Sequence, residues 1–184
     1  IPQVTTQLEW AALTTGAWCY YNNDPSKSKV YNWYALMGIH DSNPNTPNKE
    51  FAPEGWHVPT NGDWTTLENH LIANGYNFDE TISGNTIAKA MASTSGWNSS
   101  LNLGDPGNLQ SGNNSSFFNI FPTGYISDSG AYAGEGETAI FWSSSEDETD
   151  INLAWYLTLN SLNSNVYTGS VVKNHGFSVR FVKD

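Results

Sequence analysis

The chain is short of three things, and each shortage removes a class of function. It has one cysteine, Cys19, in 184 residues. A single cysteine closes no intrachain disulfide and builds no thiolate metal cluster. Set among Trp18, Tyr20 and Tyr21 with no basic neighbour in sequence, it reads as a buried, inert thiol. Basic residues number seven against eighteen acidic ones, for a formal net charge of -11. That balance repels a phosphate backbone and an anionic lipid surface, so nucleic acid is set aside as a partner; a cation, a neutral glycan or a basic protein face fit it. Long apolar runs are missing too. No stretch reaches the ~18 residues a membrane-crossing helix needs. Nor is there a GxSxG elbow, a P-loop, a dinucleotide fingerprint or an HExxH pair among the four histidines.

Aromatic residues are plentiful: eight Trp, nine Tyr and eight Phe, spread along the whole length, so they can serve one core. No repeat or linker interrupts the pattern, and the expectation is a single domain over residues 1–184. The chain starts at Ile1 rather than Met, which points to a processed product or a fragment. Abundant Asn, Ser, Thr and Gly beside scarce Lys lean towards an extracellular or cell-surface protein.

Local signals place the elements. Thr6 with Glu9 is a capping-box pattern that starts a short helix with Leu8, Ala11 and Ala12 on one stripe. Tyr31–Ile39 fits a strand or a short helix equally well. Trp56–Pro59 reads as extended. Thr60 then caps a helix with Asp63 at its third position, Trp64, Leu67, Leu71 and Ile72 on its inner face, and Gly75 ending it. A second helix is expected over Thr86–Ala92. Asn98–Ser116 is a long polar loop anchored by Leu101, Leu103 and Leu109. Phe117–Ile126 regains core character, Ser127–Glu137 is a loop, and Ala139–Trp142 is a short buried strand. In the last third, Leu153, Trp155, Leu157 and Leu159 alternate with Asn152, Ala154, Tyr156, Thr158 and Asn160. Period two puts the first set on a core and the second towards solvent in an antiparallel sheet.

Four of these segments carry a family resemblance. Gly55-Trp56-His57-Val58-Pro59-Thr60 with Asp63-Trp64 and Leu67, then Asn119–Tyr125, Phe141–Ser145 and Gly176–Val182, resemble in order and spacing the landmarks of the Fibrobacter succinogenes major paralogous domain. The resemblance runs from about Thr6 to Asp184. It implies an α+β, C-type-lectin-like fold of two short helices, a twisted antiparallel sheet and long loops. It also implies a secreted or lipoprotein setting in Bacteroidetes-like bacteria. A fainter similarity reaches the formylglycine-generating enzymes, but their C-terminal cysteine pair has no counterpart here. The upstream strand usual in the family is missing as well, and so is the cysteine often found near Phe181.

Some lectin-like proteins are diversified by retroelements in their C-terminal strands. The tract Asn152–Asn174 resembles such a variable region in composition. Its Asn152, Tyr156, Thr158, Asn160, Asn163, Asn165, Tyr167 and Asn174 are the candidate contacts to a protein or glycan ligand, because Tyr gives rigid contact area and Asn adaptable hydrogen bonds. The plain alternative is solvated turns, where Asn is at home. Trp97, opening the long loop, is the candidate sugar-stacking platform, against ordinary core packing. The acidic run Glu135–Asp150 offers a calcium site with Asp147 and Asp150 as ligands, against a merely solvated face. The function expected is therefore a non-catalytic binding module. The alternatives are a structural or adhesin-type domain, and a glycoside hydrolase built on some pair of the eighteen acids.

Overall fold

The computed structural model describes residues 1–184, and its architecture is α+β. Helix α1 (Gln7–Ala11) precedes a two-stranded ladder of β1 (Trp18–Tyr20) and β2 (Lys29–Tyr31). Helix α2 (Trp33–Leu36) follows at once, capped by Asn32, whose side-chain oxygen accepts from Ala35 N. The ambiguous Tyr31–Ile39 segment is thus the end of a strand and a short helix in succession. Strand β3 (Trp56–His57) leads into α3 (Asn61–Ala73). Here Thr60 and Asp63 form the full reciprocal capping box, and Trp64 and Leu71 are buried. Helix α4 (Ala88–Met91) is shorter than expected but buries Ile87, Ala88 and Met91 as foreseen.

Five strands make the main sheet: β4 (Thr123–Ile126), β5 (Tyr132–Glu135), β6 (Thr138–Glu146), β7 (Leu153–Asn160) and β8 (Tyr167–Val172), in the order β5-β4-β6-β7-β8. Strand β9 (Val182–Lys183) leaves this sheet and pairs with β3. The sheet is mixed, not purely antiparallel, because β4 runs parallel to β6 at Gly124 and Ala139. Two sequence expectations change. Residues 132–135 are a strand rather than loop, and the strand expected over 139–142 is nine residues long.

Both faces of the sheet are covered. On one, Ala139, Phe141, Leu157 and Leu159 pack with Trp64, Leu71, Ile87, Met91 and Trp97. On the other, Ile140, Trp142 and Ala154 pack with Trp33, Leu36, Val58 and Phe177. Trp142 lies 4.3 Å from the Phe177 ring and donates through Nε1 to Tyr31 O at 2.9 Å. Consequently the outward set of β7 is not outward throughout. Ala154 is buried, and Tyr156 packs edge-on against Phe177 at 5.6 Å. Its ring lies over Gly169, where a Cβ would come within 2.9 Å of the hydroxyl. Leu153 and Trp155, expected inside, are only half-buried. A third, smaller core joins Trp10, Cys19, Val30 and Ile126. Trp10 is the buried side of α1, while Leu8 and its stripe face solvent, because the indole N–H reaches Asn174 O at 2.7 Å. Cys19 is buried with its thiol 3.6 Å from the Tyr132 hydroxyl, and burial pushes its pKa up, as an inert thiol requires.

The long loop reverses its expected construction. Leu101, Leu103 and Leu109 anchor nothing: they are 97%, 69% and 75% exposed. Phe117 is exposed too, with φ of 60°. Amide side chains hold the loop instead. Buried Asn113 donates to Ser93 O and Pro106 O, both at 2.9 Å, and Asp105 collects Ser100 and Asn102. Lys89 reaches the carbonyl of Asn108 from α4.

Candidate functional site

The candidate contacts of the last third fall into separate places. Thr158, Asn160, Asn163, Asn165 and Tyr167 gather at the β7–β8 turn. Thr158 and Tyr167 are cross-strand partners, and Asn163 Nδ2 donates to the Tyr167 hydroxyl at 2.9 Å. Asn165 N donates to Asn163 Oδ1, a turn that fixes the tip. Thr158 and Asn160 also hydrogen-bond back to β6, at Ala139 O and Thr138 Oγ1. Tyr156 lies inward of this group, on Phe177. Asn152 sits in the β6–β7 connection, and Asn174 ties Ala11 O to Asp128 O beside α1.

Trp97 is no stacking platform. It is 4% exposed, its indole N–H donates to Ser93 Oγ, and Gln110 clamps its backbone from both sides. The long loop folds back over it, which its polar composition did not suggest. Asp147 and Asp150 are engaged by their own surroundings. Asp147 accepts from Ser170 Oγ at 2.5 Å and from Thr149, and these bonds hold its pKa down to about 2. Asp150 Oδ1 accepts from the backbone and amide of Asn152. No three His, Cys, Asp or Glu side chains come together as a metal site would need. The nearby cation is Lys173, which is buried against the Trp33 ring at 4.3 Å and paired with Glu146.

The cleft with the most apolar walls, about 440 Å³, lies elsewhere. One wall is α3, which supplies Asp63, Trp64, Thr66, Leu67 and His70; opposite stand Phe118, Arg180, Phe181 and Val182. The first and fourth signature segments line it, and the second and third support those linings from behind. The first gives the α3 wall. The second gives the Asn119 carbonyl, and the third gives Phe141, which packs at 6.2 Å from Trp64. The fourth gives Arg180 and Phe181, which also line a second cleft of about 350 Å³ with Tyr31, Phe51 and Phe121.

Arg180 is the unusual group. Its guanidinium lies 5.0 Å from the Phe118 ring centroid and 5.8 Å from that of Phe141. Nη2 donates to Phe118 O at 3.0 Å and Asn119 O at 3.4 Å. No carboxylate lies within ion-pairing distance, and the other nitrogens have no protein acceptor yet are not sealed from solvent. Burial alone shifts its pKa, downwards. A half-buried cation without a counter-charge is costly, and the two carbonyls and two ring faces offset only part of its desolvation.

The one acid in the wall does not supply that charge. Asp63 Oδ2 already accepts from Thr60 N, Thr60 Oγ1 and His57 Nε2. His57 in turn bonds Asp184 at 2.7 Å, and Asp184 first, then Asp63, raises its pKa. His57 is thus a brace between the start of α3 and the C-terminal segment. No second carboxylate lines the cleft across from Asp63. In sequence, Arg180 is the charged member of the fourth signature segment, Gly176–Val182. The available signal was one of the chain's few cations standing between Phe177 and Phe181.

Fold and cleft together define a mixed α+β domain whose helix and C-terminal segment enclose an apolar-walled cleft with one free cation. The family model described as the Fibrobacter succinogenes major domain matches residues 1–183, and the chain belongs to that family. No curated protein and no solved structure matches it. No helix is long and apolar enough to cross a membrane.

Proposed function

We propose that this domain is a non-catalytic binding module of lectin-like architecture, secreted or displayed at the cell surface, and that its ligand enters the cleft between α3 and Arg180. The observation that carries this reading is a guanidinium with no carboxylate partner in the wall of an apolar-lined cavity. Its volume lies within the ~300–1,000 Å³ usual for ligand sites, and the mix of apolar walls with one oriented polar group is their common design. Hydrolysis is disfavoured because it needs two opposed carboxylates, whereas Asp63 stands alone and is spent on His57 and the helix cap. A purely structural role accounts for the Nη2 bonds to Phe118 and Asn119 and leaves the N–H donors of Nε and Nη1 without use.

The β7–β8 tip supports a second reading, a contact face for a protein or glycan, because Thr158, Asn160, Asn163, Asn165 and Tyr167 converge there and Tyr167 is 46% exposed. A retroelement-varied tract would centre on this tip. Thermal-shift screening against soluble glycans and peptides tests both. A ligand at 100 times its Kd stabilises the domain by about 2.7 kcal/mol. Loss of that gain in Arg180→Gln with retention in Tyr167→Ala supports the cleft. The reverse pattern assigns the ligand to the tip.

A further inference from the structure

The chemistry of the cleft narrows the ligand, on the premise that the cleft is the binding site. Arginine carries five N–H donors. Two belong to Nη2 and are spent on the Phe118 and Asn119 carbonyls, which leaves three, on Nε and Nη1, with no acceptor from the protein. These carbonyls and the two phenyl faces fix the guanidinium in place, so little entropy is lost when an anion meets it. Around it the walls are Trp64, Leu67, Phe118, Phe181 and Val182.

Charge elsewhere sets an upper limit on the anion. The chain carries a formal net charge of -11, so a polyanion such as a sulfated glycan or a nucleotide is repelled at long range. Arg180 is also the only Lys or Arg lining the cleft. With the Asp63 carboxylate engaged by Thr60 and His57, the one available cation beside apolar walls suits one negative charge carried on an apolar body.

We infer that the cleft binds a monocarboxylate attached to an apolar or aromatic group, the chemistry presented by the C-terminal residue of a peptide or by a free aryl-alkyl acid. The carboxylate accepts from the free Arg180 N–H groups, and the ring or alkyl chain lies between Leu67 and Phe118. Thr66 and His70 leave the α3 side of the cleft polar, so a peptide chain can exit there.

The test is a two-dimensional amide NMR titration of the whole 184-residue domain. The probes are acetyl-Gly-Gly-Phe, its C-terminal amide, 3-phenylpropionate and acetate. The expected result is saturable shifts confined to residues 59–70, 118–119 and 180–182 for the first and third probes. The amide should bind about tenfold or more weakly, the cost of losing a charge-assisted hydrogen bond, and acetate should be weaker still. Tighter binding of the tripeptide than of 3-phenylpropionate marks peptide ends as the source, and the opposite order marks free acids. Leu67→Trp fills the apolar part without touching Arg180 and should abolish binding. Its folded spectrum excludes unfolding as the cause, a safeguard should Arg180→Gln prove unstable. Equal affinity for acid and amide would overturn the carboxylate assignment while leaving the cleft as a site. Absence of shifts in the cleft with every probe would overturn both.

Discussion

The loop from Asn98 to Phe121 and the β6–β7 hairpin are similar in length and built by opposite means. In the hairpin, apolar side chains of both faces are inside: Ala139, Phe141, Leu157 and Leu159 on one core, Ile140, Trp142 and Ala154 on the other. In the loop Leu101, Leu103, Leu109 and Phe117 are outside, Ile120 and Phe118 at its end join the core, and Asn113, Asp105 and Gln110 hold the rest. Polar anchoring specifies a shape through directional bonds, and it leaves the outer residues free of any packing duty. Two φ angles in the left-handed region, at Leu109 and Phe117, show the backbone following those bonds rather than the preferences of its bulky residues.

The contrast can be broken by substitution. Trp142→Ala in the hairpin should cost about 3–5 kcal/mol, the usual price of emptying an aromatic core site, in urea denaturation. Leu101→Ser should stay within about 0.5 kcal/mol, as at other exposed positions. A comparable loss at Leu101 would mean that the loop does pack its apolar residues. Asn113→Ala should cost about 2 kcal/mol, since it leaves the buried Ser93 and Pro106 carbonyls without a donor. Hydrogen exchange should then rise across 98–121 and not in β6 or β7; uniform acceleration would deny the loop its separate anchoring. Phe117→Gly should gain about 0.5–1 kcal/mol by relieving the left-handed strain, and a loss would reveal a contact for the exposed ring.

The mildest effect concerns Glu68 on α3, which joins the helix to the segment after β7. Asn85 Nδ2 donates to one of its oxygens at 3.2 Å and also reaches Val166 O, while the other oxygen has no partner. Burial raises its pKa, and the Asn85 bond offsets this only in part. The folded state therefore favours the protonated acid. Its contribution is complete below the ordinary carboxylate pKa and is lost as pH rises through the elevated one. Glu68→Gln should raise the melting temperature at pH 7 but not at pH 4. An equal change at both would mean that its charge is irrelevant.

What could be read from sequence was local. The α3 start was legible because Thr60 and Asp63 are three residues apart and cap each other without outside help. The four signature segments gave the family. Alternation located β7, but not the second core behind it, because the small Ala154 and the hydroxyl-bearing Tyr156 look like surface residues until Phe177 arrives from a distant segment. β5 was read as loop because Gly134 and Gly136, both at positive φ, imitate a turn. Trp97 and the loop anchors failed for a related reason. Amide side chains that hydrogen-bond to backbone far along the chain look no different in sequence from solvated ones. The Arg180 cleft is assembled from three separated segments, so only its ingredients were visible.

The pairing of β3 with β9 has a bearing on how the chain is made. His57 waits for Asp184, 127 residues later, and Tyr31 for Phe177. At roughly 5–20 residues per second, a ribosome takes about 6–25 s to deliver the missing strand. Throughout that interval Trp56 and His57 lack their strand partner, so the nascent domain depends on whatever shields that edge until β9 is made.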